Sequence, residues 1–251
     1  MTSGPRGRLL VALEAAEDSL ALIETATRLA AALERELVGL LVADPALAAA
    51  AALPFTRLQP LSGADPTQFD RPDMERALRA FARLAERRLA AACARRSVRW
   101  SLTVATSRAP VPPGEGDLLV VGPRPPPGEL VTAPRCPIVI LRPIGRSVLL
   151  VHTGDDHLLA LARRAATRER LPLVIVLWRA DTMPGGTAEP DTARSELVRV
   201  REGDALAAAI RHHAPAILFL DAFRSGPDLG VVLAALRGAP GQSADYPGAT
   251  G

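Results

Sequence analysis

Apolar runs four to eight residues long alternate along this chain with amphipathic stretches two to six turns long. RLLVAL (8–13) is continuously apolar after its first residue, the pattern of a strand buried on both faces. Asp18 or Ser19 can cap the segment that follows, whose apolar positions Leu22, Ala26, Leu29 and Leu33 fall on one helical face. ELVGLLVAD (36–44) completes a βαβ unit, for which a right-handed crossover is expected. After a mixed stretch with a short helix at 46–53 and a loop through PFTRLQPLSGADPTQFD, Asp70 and Pro72 signal the start of a long helix. Met74, Leu78, Phe81 and Ala85 mark its inner face, and it runs to about Arg95. RWSLTVA (99–105), DLLVVG (117–122) and PIVILR (137–142) read as strands. The loop TSRAPVPPGEG between the first two of these cannot be a helix.

The pattern restarts near residue 146. SVLLVHTG, HLLALARRAATRE and LPLVIVLW predict strand, helix and strand over 147–178. SELVRVRE, the helix after Gly203-Asp204, AILFLDA (216–222) and a short helix at 228–237 follow. LLVALEAAEDSLAL and LLVHTGDDHLLAL match weakly, each leading into helix and strand, which points to internal duplication. The organisation read from this is a first half at 1–145, a degenerate second half at 146–237 and a flexible tail at 238–251.

Composition narrows the function classes. The chain has 251 residues, 48% hydrophobic and only 3% aromatic, so its core is built from aliphatic side chains. All 30 basic residues are arginine, yet the formal charge is only +3. Pairs such as Arg87-Arg88 and Arg95-Arg96 sit among acids on helices and read as solvated faces rather than a nucleic-acid stripe. No apolar run reaches the length of a membrane span, and the start carries Glu14, Glu17 and Asp18 where a signal peptide would continue apolar. A cytoplasmic protein with no membrane insertion is expected. Cys93 and Cys136 have neither metal spacing nor an obvious activator. No GxSxG, HExxH or Walker loop occurs, so no enzyme class is supported.

Taken together, RLLVALEAAEDS, ETATRLAAALERELVGLLVAD, LPFTRLQPLSG, VRWSLTVA, DLLVVG, APRCPIVILRP and the restart SVLLVHTGDD resemble the universal stress proteins, in a divergent tandem form spanning about residues 8–237. The resemblance implies an α/β fold: an open, mostly parallel Rossmann-like sheet of the adenine nucleotide alpha hydrolase type, with helices on both faces, duplicated in two degenerate halves. It also implies a stress-linked regulatory role, with ATP bound by some members. Those members carry an acid at the end of strand one and G-x2-G-x9-G-[S/T] after strand four. Here strand one ends in Glu14, one methylene longer than the family's Asp, and Gly122 occupies the first glycine position. The second and third positions hold Pro125 and Arg135, and six prolines lie between 122 and 137. Proline offers phosphate no N–H, so this stretch reads as a stiff connector. An anion site rebuilt from Arg124, Gly128 and Arg135 is the alternative.

Any remaining ligand belongs at the carboxyl ends of the strands. The candidates are Glu14, Ala15, Val42, Ala43, Gly122 and Gly128 in the first half, and Thr153, Gly154, Asp155 and Asp221 in the second. HTGDDH (152–157) reads first as a turn with an aspartate cap, and otherwise as a residual ligand or metal site. His212-His213 points apart on a helix and suits its C-terminus rather than a metal. The expectation is a non-enzymatic, universal-stress-protein-like binding protein with a weakened or lost ATP loop and no metal or other cofactor. The alternatives are an interaction scaffold with an unknown protein partner or a homodimer through 137–142, read as an open edge strand, and a residual adenine-nucleotide-binding protein.

Overall fold

Continuous aliphatic runs make strands that must be covered on both faces, and they become the inner strands of two parallel sheets. The computed structural model describes residues 7–13, 17–42, 49–59, 63, 65–105, 113–122, 136–142, 144–179, 195–221, 226–227 and 229–237. The chain divides into two compact units, one ending at Cys136 and the other beginning at Pro137.

In the first unit, β1 (Leu9–Leu13), α1 (Glu17–Leu33) and β2 (Leu37–Val42) form the expected βαβ unit. A two-residue hairpin, β3 (Arg57–Leu58) with β4 (Thr67–Gln68), interrupts the stretch expected to be loop. Then come α2 (Arg71–Ala94), β5 (Trp100–Ala105) and β6 (Leu118–Val121). The sheet order is β5-β2-β1-β6, all parallel, with Leu9 registered between Leu37 and Leu118. All five residues of β1 are buried. On α1 the inner face is Ile23, Ala26, Thr27, Leu29, Ala30 and Leu33, while Leu22 is only half-buried. The expected cap at Asp18 or Ser19 falls on side chains outside the described residues.

Asp70 caps α2 as expected, its carboxylate accepting from the Asp73 N–H at 2.9 Å, with Pro72 in the first turn. The buried face of α2 differs from expectation. Ala85, Leu89, Ala92 and Cys93 are buried, whereas Met74, Leu78 and Phe81 are half-exposed. The periodicity is correct throughout, but only the C-terminal half of the helix meets the sheet and α1 closely. Gly39 on β2 makes room there, since a Cβ at that position would lie 2.9 Å from both Leu89 Cδ1 and Leu102 Cδ1.

The second unit contains β7 (Ile138–Leu141), β8 (Ser147–His152), α3 (Asp156–Glu169), β9 (Leu173–Trp178), β10 (Ser195–Val200), α4 (Gly203–His213), β11 (Pro215–Leu220) and α5 (Leu229–Arg237). Its strand order is β10-β9-β8-β11-β7. β7 runs antiparallel to β11 and the others are parallel. Right-handed crossovers leaving in opposite directions put α3 and α4 on opposite faces of this sheet. Counting only core strands, both units show the same order: third, second, first, fourth. Ile138–Leu141, expected as an open edge strand, is buried and pairs with β11 along one side.

The start of each first strand is wedged against the start of the fourth. A Cβ on Gly7 would sit 2.0 Å from the Gly116 carbonyl oxygen, and one on Gly145 would sit 2.2 Å from the Ala216 nitrogen. In the first unit a carboxylate locks this junction. Asp117, 2% exposed, accepts from the Arg8 backbone N–H and from Arg8 Nη2, both at 2.6 Å, and from the Gly114 N–H at 2.7 Å. The buried Arg35 guanidinium donates to the Gly116 carbonyl beside it. In the second unit no carboxylate enters the same place: Arg146 N–H bonds the Ala214 carbonyl at 3.0 Å, Ser147 Oγ the His213 carbonyl at 2.9 Å, and the Arg146 guanidinium the His212 carbonyl at 2.7 Å. Among the described residues, no helix is long and apolar enough to cross a membrane.

Burial opposes ionisation of Asp117, but the bonds from Arg8 and Gly114 outweigh it and hold the carboxyl below its ordinary 3.8. A depressed carboxyl stabilises the fold above its unfolded value, and that contribution is lost as pH falls below about 4. Asp117→Ala is expected to cost about 2–4 kcal/mol at neutral pH and to flatten the acid limb of stability against pH, measured by urea unfolding. Gly145→Ala is expected to cost about 1–3 kcal/mol in the same assay, because the backbone of β11 must shift to admit the methyl group.

Candidate functional site

In an open parallel sheet the crevice opens where neighbouring strands send their chains to opposite sides. That point lies between β1 and β6 in the first unit and between β8 and β11 in the second. The first of these is only partly described. Glu14, Ala15, Ala43 and Gly128 lie outside the described residues, as do Arg124 and Arg135 of the alternative anion site. Val42 ends β2, and Gly122 follows β6 half-buried. The proline-rich connector also lies outside the described residues, up to Cys136.

The second crevice is described on its main sides. β8 ends in His152, Thr153 follows, and Asp221 follows the last residue of β11. Thr153 Oγ1 donates to Asp221 Oδ2 at 3.2 Å, joining the two strand ends. Asp221 occupies the place after the fourth strand that Gly122 holds in the first unit, and it is 3% exposed. Gly154 has φ +108°, a left-handed turn for which glycine is suited. Asp155 then caps α3, its Oδ1 accepting from the N–H groups of His157 at 2.9 Å and Leu158 at 3.1 Å. The N-terminal donors that make a helix end attractive to phosphate are therefore engaged by the chain's own carboxylate.

His152 is the unusual member. It is 1% exposed, and neither ring nitrogen has a hydrogen-bond partner among the described residues. Burial lowers its pKa below the ordinary 6.5, against the pull of Asp156 and Asp155 and together with the push of Arg163. Trp178 ends the neighbouring strand with its indole N–H also buried and unpaired, under the Arg179 guanidinium at 5.1 Å from the ring centroid. The sequence signalled His152 as a polar residue closing an apolar strand, but gave no sign of the buried Trp178 N–H. Among the described residues, no group of three or more His, Cys, Asp or Glu is placed to hold a metal.

The other candidates separate from this crevice. His212 and His213 stack edge-on at 4.7 Å beyond the opposite, N-terminal end of the sheet, with His213 Nε2 3.8 Å from Glu196. They border a cavity of about 420 Å³ that also includes Arg146 and Ser147. Cys93 is buried against Thr27 at 3.8 Å, and burial raises its thiol. Burial pushes the Cys136 thiol up to about 11. Thiols so disposed are packing groups rather than nucleophiles.

The duplicated strand order and the crevice position can now be set beside known proteins. The chain is similar in fold to universal stress proteins. One from Burkholderia pseudomallei is 16% identical, with a TM-score of 0.31 over 69% of this chain and 97% of that chain. One from Archaeoglobus fulgidus DSM 4304 is 10% identical, with a TM-score of 0.46 over 81% of each chain. A putative universal stress protein from Pseudomonas aeruginosa UCBPP-PA14 is 14% identical, with a TM-score of 0.43 over 82% of this chain and 79% of that chain. No protein-family model and no curated protein matches the sequence.

A buried histidine with a depressed pKa destabilises the fold as it is forced to charge. Its neutral-state stability is complete above about pH 6.5 and is lost as pH falls below it. His213, lowered by burial as well, adds to the same limb. His152→Leu is expected to keep or raise stability at pH 7.5 and to remove part of the decline between about pH 6.5 and 5, followed by thermal unfolding. A decline unchanged from wild type would show that His152 is not the group responsible.

Proposed function

We propose that this protein is a non-enzymatic, stress-linked regulatory binding protein of the universal stress protein kind, in which neither unit grips ATP. The observation that carries this reading is the pair of carboxylates at the second crevice. Asp155 engages the N-terminal N–H groups of α3, and Asp221 stands where the first unit has Gly122. A nucleotide phosphate there would meet two acids and lose the donors it needs. In the first unit, the second and third glycine positions of the family's phosphate loop are Pro125 and Arg135, which supports the same reading from sequence. A role through contact rather than chemistry fits a chain whose two thiols are buried.

Isothermal titration of the full chain with ATP, ADP and AMP tests this. The expected result is no saturable heat, corresponding to a Kd weaker than about 1 mM. Binding of any of the three in the micromolar range would overturn the reading and restore the chain as an adenine-nucleotide-binding protein.

A further inference from the structure

Two strands end the strand orders of the two units, β5 and β10, and they are guarded differently. β10 carries Glu196 and Arg199, both exposed, which discourage pairing with another chain. β5, Trp100–Ala105, has no charge, no proline and no bulge in its pairing with β2. Among the described residues no strand pairs its outer side. Its outward hydrogen-bonding groups can be named. The Arg99 carbonyl accepts from the Leu37 N–H at 2.9 Å, so Arg99, Ser101 and Thr103 turn their backbone groups toward β2. Backbone direction alternates along a strand, and so Trp100, Leu102 and Val104 hold their N–H and C=O groups outward.

The side chains of those three residues line a groove of about 540 Å³ against α2. Val104 is 40% exposed, and Trp100 and Leu102 are half-exposed. The opposite wall carries Arg79, Arg83 and Glu86. Arg83 makes no ion pair among the described residues, and Arg79 reaches only the exposed Glu75, at 3.7 Å. The groove is lined by two arginines against one acid, so the field over it is positive. A crossover helix runs antiparallel to its strands, which puts Arg79 toward Val104 and Glu86 toward Trp100.

We propose that β5 and α2 form a docking site for an extended acidic segment of a partner protein. The segment adds as a strand to the outer side of β5, and the side chains it turns to the α2 face are carboxylates that pass over Trp100, Leu102 and Val104 to Arg79 and Arg83, while its alternate side chains lie on the Ser101 and Thr103 face. Main-chain pairing supplies affinity, and alternate side chains supply selectivity. A second copy of this chain fits less well, because it would bring two arginine-rich helices together. A nucleic acid leaves the open backbone groups unused and finds a single aromatic, Trp100, in the groove. The inference is independent of whether nucleotide binds at the strand ends.

Fluorescence anisotropy with the full chain and dye-labelled peptides of about eight residues, alternating valine with glutamate or valine with lysine, tests it. The glutamate peptide is expected to bind at least about tenfold tighter than the lysine peptide at low salt, with the difference shrinking as salt rises. Arg83→Glu, on an exposed helix face, is expected to reverse that preference. Val104→Pro, which removes an outward N–H and leaves the β2 ladder intact, is expected to weaken binding at least about fivefold, with its melting curve confirming the fold. Equal binding of the two peptides, or a preference unchanged in Arg83→Glu, would overturn the proposal. So would displacement of the glutamate peptide by oligothymidylate, or sedimentation as a dimer that Val104→Pro dissociates.

Discussion

Each unit depends on holding its first strand hard against the start of its fourth. The crevice at the far end of these strands exists only if that register is fixed, and the contact is too tight for a Cβ at Gly7 or Gly145. The first unit adds a buried carboxylate, so that Asp117 ties the Arg8 backbone, the Arg8 guanidinium and the Gly114 N–H into one junction. The second reaches the same geometry with Ser147, the Arg146 guanidinium and a backbone bond, and with no buried carboxylate in the bonds that hold it. Removing Arg8 would strand a buried charge in the first unit, whereas losing the Ser147 hydroxyl bond would cost the second unit a single neutral interaction. The two units thus share a steric constraint but differ in the chemistry that reinforces it.

Much of this frame was legible because it is written in runs and caps. β1, β8 and β9 follow from uninterrupted aliphatic residues, α2 from Asp70 and Pro72, and the turn after β8 from Gly154 and Asp155. Features that depend on partners were not legible. PIVILR announces a buried strand, but nothing local says that it pairs with β11. The Met74, Leu78 and Phe81 stripe has helical spacing, yet how far the sheet extends under α2 is a tertiary matter. The β3–β4 hairpin has two residues per strand, too few for any alternation to register. Of the candidate site, Thr153 and Asp221 were named for lying at strand ends, and they do meet. The orphaned His152 nitrogens and Trp178 N–H are properties of the folded surroundings, which no spacing rule carries.

The two units distribute charge unequally. The strand ends of the second carry Asp155 and Asp221 beside a buried histidine whose pKa burial lowers, a setting hostile to phosphate. The first carries its arginines along α2, beside an unguarded sheet edge. The second unit thus presents acids at its strand ends, and the first presents bases at its flank.

The proposal that neither unit grips ATP meets its most direct test in a crystal structure of the full chain grown with millimolar ATP and magnesium. The second crevice is expected to show Asp155 still bonded to the His157 and Leu158 N–H groups, and no ordered triphosphate is expected beside Gly122 or Asp221. A triphosphate seated at either strand end, with Asp155 displaced from the α3 cap or the 123–135 connector folded around it, would contradict the claim.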